Sequence, residues 1–430
     1  MPRCKSVIVG GGSFHWGPGL IRDFLVTPEL AGSTLVLYDI DQEAAQSNLR
    51  IAEQLRQKAG IDVSLEVAAD RRAALEDADY VVLTIAVGGL DAWQLDMEIP
   101  DRYGCRQTIA DTVGPGGLSR ALRNIPVLLD LAREMEEVCP KAWLLNLTNP
   151  MTTLTRAVSR ETSIPCLGLC HEAHHFLRGL EEILGSPADE MRYTIAGINH
   201  CIWMLDLDVN GQDGIALLRR HWADNGLPTD TVGPLLLEIF GILPVGKGRH
   251  LSEFFPHFLT PAAEYGGRYG FLDQMVTVKD RRESREKAHA RWLEMLEGNH
   301  LPELVIGGEP VVPIILAREL NRQEVLVINW PNRGQIDNLP REAVVETKAV
   351  VDRRGVHPIA AGALPDSVLG ITMQHVANQE RIVEAGVKGD YQAALQALFN
   401  DPLVNSLEDA RAMLDELLQA HKQYLPQFDL

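Results

Sequence analysis

Short apolar runs and longer amphipathic stretches alternate through the first 170 residues. Ser6 to Val9, Thr34 to Tyr38, Val63 to Val67, Asp79 to Ala86, Ala142 to Leu145 and Cys166 to Leu169 read as strands. The fourth is nearly all apolar, as expected of a parallel strand covered on both faces. Helical periodicity covers Pro18 to Leu25, Asp41 to Lys58 and, after a loop rich in Gly and Pro from Ile109 to Gly117, Leu118 to Val138. The alternation predicts a Rossmann-like, doubly wound, mostly parallel sheet. Beyond it the pattern changes. Met204 to Val209 reads as a strand followed by an Asn210-Gly211 turn, as in a hairpin arm, and Arg281 to Leu296 as a helix. Asn321 to Val327 and Ala343 to Thr347 read as strands. Met373 to Gln419 reads as helices broken near Val387-Lys388-Gly389 and Asp401-Pro402. The expected fold class is therefore α/β, with a Rossmann-like domain over 1–200 and an α+β substrate and oligomerisation domain over 201–430. No low-complexity linker marks that boundary.

The 430 residues carry a formal charge of −19, so no basic excess is available for nucleic acid. No run reaches the roughly 18 apolar residues of a membrane span. The chain starts with a strand pattern rather than a signal peptide, from which a cytoplasmic setting is expected. Six cysteines are too sparse for a disulfide scaffold, and most read as small buried hydrophobes.

Gly10, Gly11 and Gly12 follow the first strand, then Ser13 and Phe14. A tight turn at a helix N-terminus lets backbone approach a pyrophosphate, although this run lacks the full G-x-G-x-x-G spacing. Asp39 ends the second strand, where a carboxylate accepts hydrogen bonds from a ribose diol and repels a 2′-phosphate. Together they predict NAD binding, with Ala86 and Gly88 at the edge of the fourth strand beside the cofactor. Asn146, Asn149 and Pro150 follow the next strand. They are either turn formers or polar groups where nicotinamide and substrate meet.

Cys170-His171-Glu172 ends the sixth strand, and Asn199-His200 lies in a later segment. A thiolate with an imidazole can hold a divalent ion with open positions, although zinc ordinarily takes a third protein ligand. The bland reading is a core cysteine and a hydrogen-bonded histidine.

The whole order of motifs resembles glycoside hydrolase family 4: the Gly-rich start, Asp111 to Gly117, Asn146 to Pro150, Cys170 to Glu172, Asn199-His200, His250-Leu-Ser-Glu253-Phe, Gly308-Glu309-Pro310 and Pro331-Asn332-Arg333-Gly334. The resemblance implies an NAD- and divalent-metal-dependent glycosidase, often manganese-using, that needs reducing conditions. It implies transient oxidation at C3 of the sugar, loss of the C2 proton, elimination of the aglycone, addition of water and return of the hydride. It places the metal on Cys170 and His200, and Cys170 must be a thiolate to ligate. His171 would bind or protonate near the glycosidic oxygen. His250, oriented by Glu253, is the expected base, with Tyr265 and Tyr269 nearby. Asp111 would lie beside metal or sugar, with Asn149, Asn146 and Arg249 as sugar contacts and Asn146 also beside NAD.

Cys-His in place of the Cys-Asn or Cys-Asp of the phospho-sugar branch implies an unphosphorylated glycone. Cys-His-Glu resembles the α-glucosidase-like pattern, while Arg249 suits a uronate carboxylate, as in α-glucuronidase- or galacturonidase-like enzymes. A homodimer or homotetramer is implied. The rival reading is an NAD-dependent sugar or 2-hydroxy-acid dehydrogenase, which would accumulate NADH.

Overall fold

The structure is a computed structural model describing residues 3–187, 190–272 and 277–430. Its first half contains strands β1 (Lys5–Val9), β2 (Thr34–Tyr38), β3 (Ser64–Val67), β4 (Tyr80–Leu83), β5 (Trp143–Asn146) and β6 (Cys166–Gly168). Between them run α1 (Gly17–Leu25), α2 (Gln42–Ala59), α3 (Arg71–Leu75), α4 (Gly89–Arg102), α5 (Gly114–Val138) and α6 (Met151–Glu161), with α7 (Glu172–Leu184) following β6. These strands are parallel, in the order β3-β2-β1-β4-β5-β6, the arrangement of a dinucleotide-binding sheet. Burial follows position. Central β4 and β5 are buried at every residue, while edge strand β3 alternates exposed and half-buried.

Several elements differ from the sequence reading, which gave no helix at α3, α4, α6 or α7. Helix α5 begins at Gly114, four residues before the expected Leu118, because Pro115 suits the first helical turn and Asp401 Oδ2 accepts the Gly114 amide at 3.0 Å. Helix α4 was not foreseen, since Gly88-Gly89 and Pro100 punctuate its sequence; Pro100 falls in its last turn.

The second half contains β7 (Met191–Ile198), β8 (Cys201–Val209), β9 (Gln212–Asp213), α8 (Gly214–Asn225), α9 (Val232–Phe240), β10 (Leu243–Val245), α10 (Gly248–Phe254) and α11 (Val278–Leu296). Then come α12 (Val311–Leu320), β11 (Glu324–Pro331), β12 (Val344–Asp352), β13 (Gly355–Pro358), α13 (Asp366–Lys388), α14 (Tyr391–Phe399) and α15 (Leu407–Ala420). The Asn210-Gly211 turn leads only into two-residue β9, whereas the main hairpin joins β8 to β7, a strand absent from the sequence reading. This half extends the same sheet. β11 adds antiparallel to β6, and β12, β7, β8 and β10 follow, so a single 13-stranded sheet runs through residue 200. Helices α13 to α15 bury Val383, Met413 and Leu417 in one core with Val81 and Leu122 of the first half.

Candidate active site

Gly10 leaves β1 at φ +95°, and a Cβ there would lie 2.1 Å from the Thr84 carbonyl oxygen. The Gly10 and Gly11 amides donate to the Tyr38 carbonyl (3.0 and 2.9 Å). Asp39 accepts the Gly12 amide through Oδ2 (2.8 Å) and the Asp41 amide through Oδ1 (2.9 Å). The Ser13 amide donates back to the Gly10 carbonyl (3.0 Å), and the Ser13 hydroxyl accepts the Trp16 amide (3.1 Å). Among the described residues this leaves the Phe14 and His15 amides of the turn without a partner, just ahead of α1. An anion at this turn therefore meets those two donors. The Phe14 ring packs under α11, 5.5 Å from His289 and 6.4 Å from Trp292, so Phe14 offers the cleft its backbone. Ala86 and Gly88 form the loop after β4, pinned where the Thr148 hydroxyl accepts the Ile85 amide at 3.1 Å.

Asn146 is a correction. Its carboxamide closes on Thr148, Nδ2 to the carbonyl at 3.1 Å and Oδ1 from the amide at 2.9 Å, and the residue is fully buried. It shapes the turn that presents Asn149, and Asn146 does not line the cavity.

The catalytic end gathers residues from four segments. Cys170 follows β6, Asp111 precedes α5, His200 sits in the β7–β8 turn and His250 lies on α10. Cys170 Sγ is 3.5 Å from His200 Nε2, and ligand atoms of Asp111, His200 and His250 lie within 4.8 Å of one another. His200 is held in the left-handed region at φ 65°, with Nδ1 2.8 Å from the Thr112 hydroxyl. That contact keeps Nε2 facing the thiol. The two imidazoles stack at 3.8 Å. Asn149 Nδ2 donates to Asp111 Oδ2 at 3.2 Å, and Arg120 Nε donates to the Asn149 carbonyl at 3.0 Å. Glu172 Oε2 lies 3.5 Å from His200 Nε2, while Glu172 Oε1 accepts the Lys247 amide at 3.0 Å.

Orphaned polar atoms gather here. Asn149 Oδ1, Glu172 Oε2, Arg249 Nε, His250 Nδ1 and Glu309 Oε2 are buried without a hydrogen-bond partner. All five residues line one cavity enclosing about 800 Å³. The Cys170 sulfur, the His200 imidazole and the neighbouring Asp111 carboxylate are a donor set that fits a divalent transition ion.

Protonation states follow from burial and neighbours. Burial, then the charges of His200 and Arg249, hold His250 well below the ordinary imidazole range, so it is neutral. Burial takes His200 down to about 4. Burial opposes the Asp111 charge, but His200, Arg120 and hydrogen bonds from Thr112 and Asn149 outweigh it and keep the carboxylate ionised. Burial, then Glu346 and Glu172, push the Cys170 thiol well upward, so a thiolate there calls for a cation beside it. His171 goes the other way. Its Nδ1 lies 3.0 Å from Glu309 Oε1, and that hydrogen bond raises its affinity for a proton despite partial burial.

Glu253 is the second correction. It was expected to orient His250, but Oε1 accepts the amides of Thr108, Ile109 and Ala110 at 2.8, 2.7 and 2.8 Å. Ala110 is left-handed at φ 55°, and the three amides converge like a small nest. Glu253 thus fixes the loop leading into Asp111 and does not line the cavity. Tyr265 stacks under the Arg106 guanidinium, 4.2 Å from its ring centroid, and Tyr269 packs on Phe258. Neither lines the cavity. Sequence reasoning gave no role to Thr112, Glu309, Arg120 or Arg281; Thr112 and Glu309 lay within quoted motifs, which was the available signal.

Residues 5–186 match the model of family 4 glycosyl hydrolases and residues 195–404 that of the family's C-terminal domain. An alpha-galactosidase of Bacillus subtilis is 35% identical, over 99% of this chain and 99% of that protein. An alpha-galacturonidase of the same organism is 32% identical, over 98% of each. The crystal structure of a glucosidase candidate from B. subtilis superposes with a TM-score of 0.89 at 31% identity, covering 97% of this chain and 100% of the other. A 6-phospho-alpha-glucosidase from gut microorganisms, in complex with NAD and Mn²⁺, has a TM-score of 0.87 at 22% identity over the full length of both, which is a likeness of fold.

Proposed function

The chain belongs to family 4 of the glycosyl hydrolases and is a glycosidase, and we propose that it hydrolyses an unphosphorylated hexuronide with the help of NAD and a divalent ion such as Mn²⁺. The observation that carries the choice of a uronide is Arg249. Its Nε is buried and unpartnered beside the Cys170–His200 pair. Lys247 and Arg281 border the same cavity, which the carboxylates of Asp111, Glu172, Asp230 and Glu309 also line. A planar carboxylate is the anion that a guanidinium best matches. The neutral hexoside is the second reading, supported by the alpha-galactosidase relative.

Gly10, Gly12, Ser13, Phe14, Asp39, Ala86 and Gly88 would hold NAD, and Cys170 and His200, with Asp111 beside them, would hold the metal. When bound, NAD supplies a reversible hydride acceptor, and the ion a Lewis acid for a carbonyl oxygen. The chain's own groups divide the proton work. Neutral His250, whose buried Nδ1 has no hydrogen-bond partner, is suited to take the C2 proton. His171, charged more readily through Glu309, is suited to give a proton to the departing oxygen. Two histidines whose surroundings push their proton affinities apart make an acid and a base in one pocket. Asn149 and Asp111 orient sugar hydroxyls. The half-buried Cys170 thiol supports a reducing, cytoplasmic setting, and the same reading includes a homodimer or homotetramer.

The test is a panel of p-nitrophenyl α- and β-galactosides, glucosides and their uronides with NAD⁺, Mn²⁺ and thiol. Uronides should turn over best, without net NADH, and Arg249→Gln should reduce uronide kcat/KM by about 10- to 100-fold, the weight of a charged hydrogen-bonded contact. Stoichiometric NADH would establish a dehydrogenase instead. Equal loss on neutral hexosides would remove Arg249 from carboxylate recognition.

A further inference from the structure

The cavity is larger than one sugar ring requires, and its two ends differ in chemistry. Helix α7 starts at the catalytic end and runs along the wall. Glu172, Phe176, Gly179, Leu180 and Ile183 all line it, at spacings that place them on one helical face. From Glu172 to Ile183 that face extends about 16 Å at the α-helical rise. Past Glu172 and His175 the wall turns apolar: Phe176, Leu180 and Ile183 from α7, Leu218 and Trp222 from α8, and Leu243 from β10. The five orphaned polar atoms of the cavity all belong to its catalytic end, and the apolar arm has none among the described residues. Asp230, near the arm, is occupied by the amides of Gly248 (2.7 Å) and Val232 (3.1 Å). Gly179 keeps the arm open: a Cβ built there meets nothing within 4 Å.

We propose that this arm is an aglycone subsite for an apolar, ring-bearing group, so that the preferred substrate is a glycoside of an aromatic or alicyclic alcohol rather than of a second sugar. The inference rests on the glycosidase reading. A second sugar would bring hydroxyls against Leu180, Ile183, Leu218 and Leu243, which offer them no hydrogen bond, at a desolvation cost. A ring buries its faces against Trp222 and Phe176 and needs none.

The test compares benzyl and methyl glycosides of the accepted sugar, both with alkanol leaving groups. In the NAD- and Mn²⁺-loaded enzyme, kcat/KM should favour benzyl by about ten- to a hundredfold, mainly through KM. In Trp222→Ala, and in Gly179→Leu, which plugs the arm from a sound helical position, the ratio should fall to within about threefold of one. Trp222→Phe should keep most of it. A wild-type ratio near one, or a ratio unmoved by the plug, overturns the proposal. Binding of 2-naphthylmethanol, read by saturation-transfer NMR, tests the arm without catalysis. Saturable binding abolished by Gly179→Leu, with no glycoside turned over, retains the arm and rejects the glycosidase reading. Absence of both rejects both.

Discussion

His200 illustrates how a single side chain is made into a ligand. The β7–β8 turn forces it to φ 65°, and the Thr112 hydroxyl at Nδ1 fixes the ring so that Nε2 meets the Cys170 sulfur. Orienting contacts of this kind are worth about 10- to 100-fold in metal affinity. Thr112→Val should therefore weaken Mn²⁺ binding by that factor, measured by EPR titration without substrate; unchanged affinity would strip Thr112 of the role. Asp39 has a comparable place at the cofactor turn, since one carboxylate holds the amides of Gly12 and Asp41. Asp39→Ala should lower NAD affinity by at least about tenfold and NADP affinity less, by calorimetry. Equal losses for both would remove the ribose discrimination. Cys170, His200, His250, Asp111 and Asn149 were legible as polar residues inside motifs, and Arg249 as the residue just ahead of one. Asn146 and Glu253 were equally legible, yet their side chains turn away, because residue type does not encode direction.

At the scale of elements, helix α10 holds two unlike parts. His250 faces the cavity, while Glu253 binds the loop ahead of Asp111 through three amides. Glu253→Ala would leave those amides buried and unsatisfied, at about 1–3 kcal/mol each before relaxation. Expected is a loss of several kcal/mol in urea unfolding together with falling Mn²⁺ affinity as Asp111 shifts. Glu253→Gln, which keeps an accepting oxygen, should lose much less. A silent Glu253→Ala would show that the loop holds itself. Periodicity made most elements readable, including β2 to the residue. Its failures have physical causes. Gly88-Gly89 and Pro100 disguise α4, and β7 mixes exposed, half-buried and buried positions without a clean alternation.

At the scale of the molecule, one sheet carries both halves and places a buried carboxylate on an interior strand. Glu346 on β12 pairs across to Asn329 on β11 and accepts Asn199 Nδ2 at 2.9 Å. Its Oε1 and Asn329 Oδ1 are both acceptors without a donor, which a proton on Glu346 would relieve. Burial takes its carboxyl from an ordinary 4.5 up to about 7. The folded chain then keeps a proton that the unfolded chain releases, so this contribution to stability is full below about pH 4.5 and is lost as pH rises to about 7. Glu346→Gln mimics the protonated form. Relative to wild type, its urea stability in metal-free protein should rise between pH 5 and pH 8, by up to about 3 kcal/mol at about 1.4 kcal/mol per pK unit. A pH-independent difference would place the proton elsewhere. Another long-range tie is the buried ion pair of Arg123 on α5 with Asp96 on α4, 2.6 Å apart and flanked at 3.1 Å by His421 beyond α15. No short stretch of sequence could announce it.

The sequence by itself determined the alternating strands and helices, the glycine turn with Asp39, and the motif set of a family 4 glycosidase. These depend on local periodicity, backbone freedom and residue type, all written within short windows. Only the tertiary structure decided which polar side chains meet. Asp111, Cys170, His200 and His250 converge because parallel strand order, a left-handed turn and α10 bring separate segments to one edge of the sheet. The apolar arm was equally hidden, since its wall is shared by α7, α8 and β10 and exists only once those elements pack.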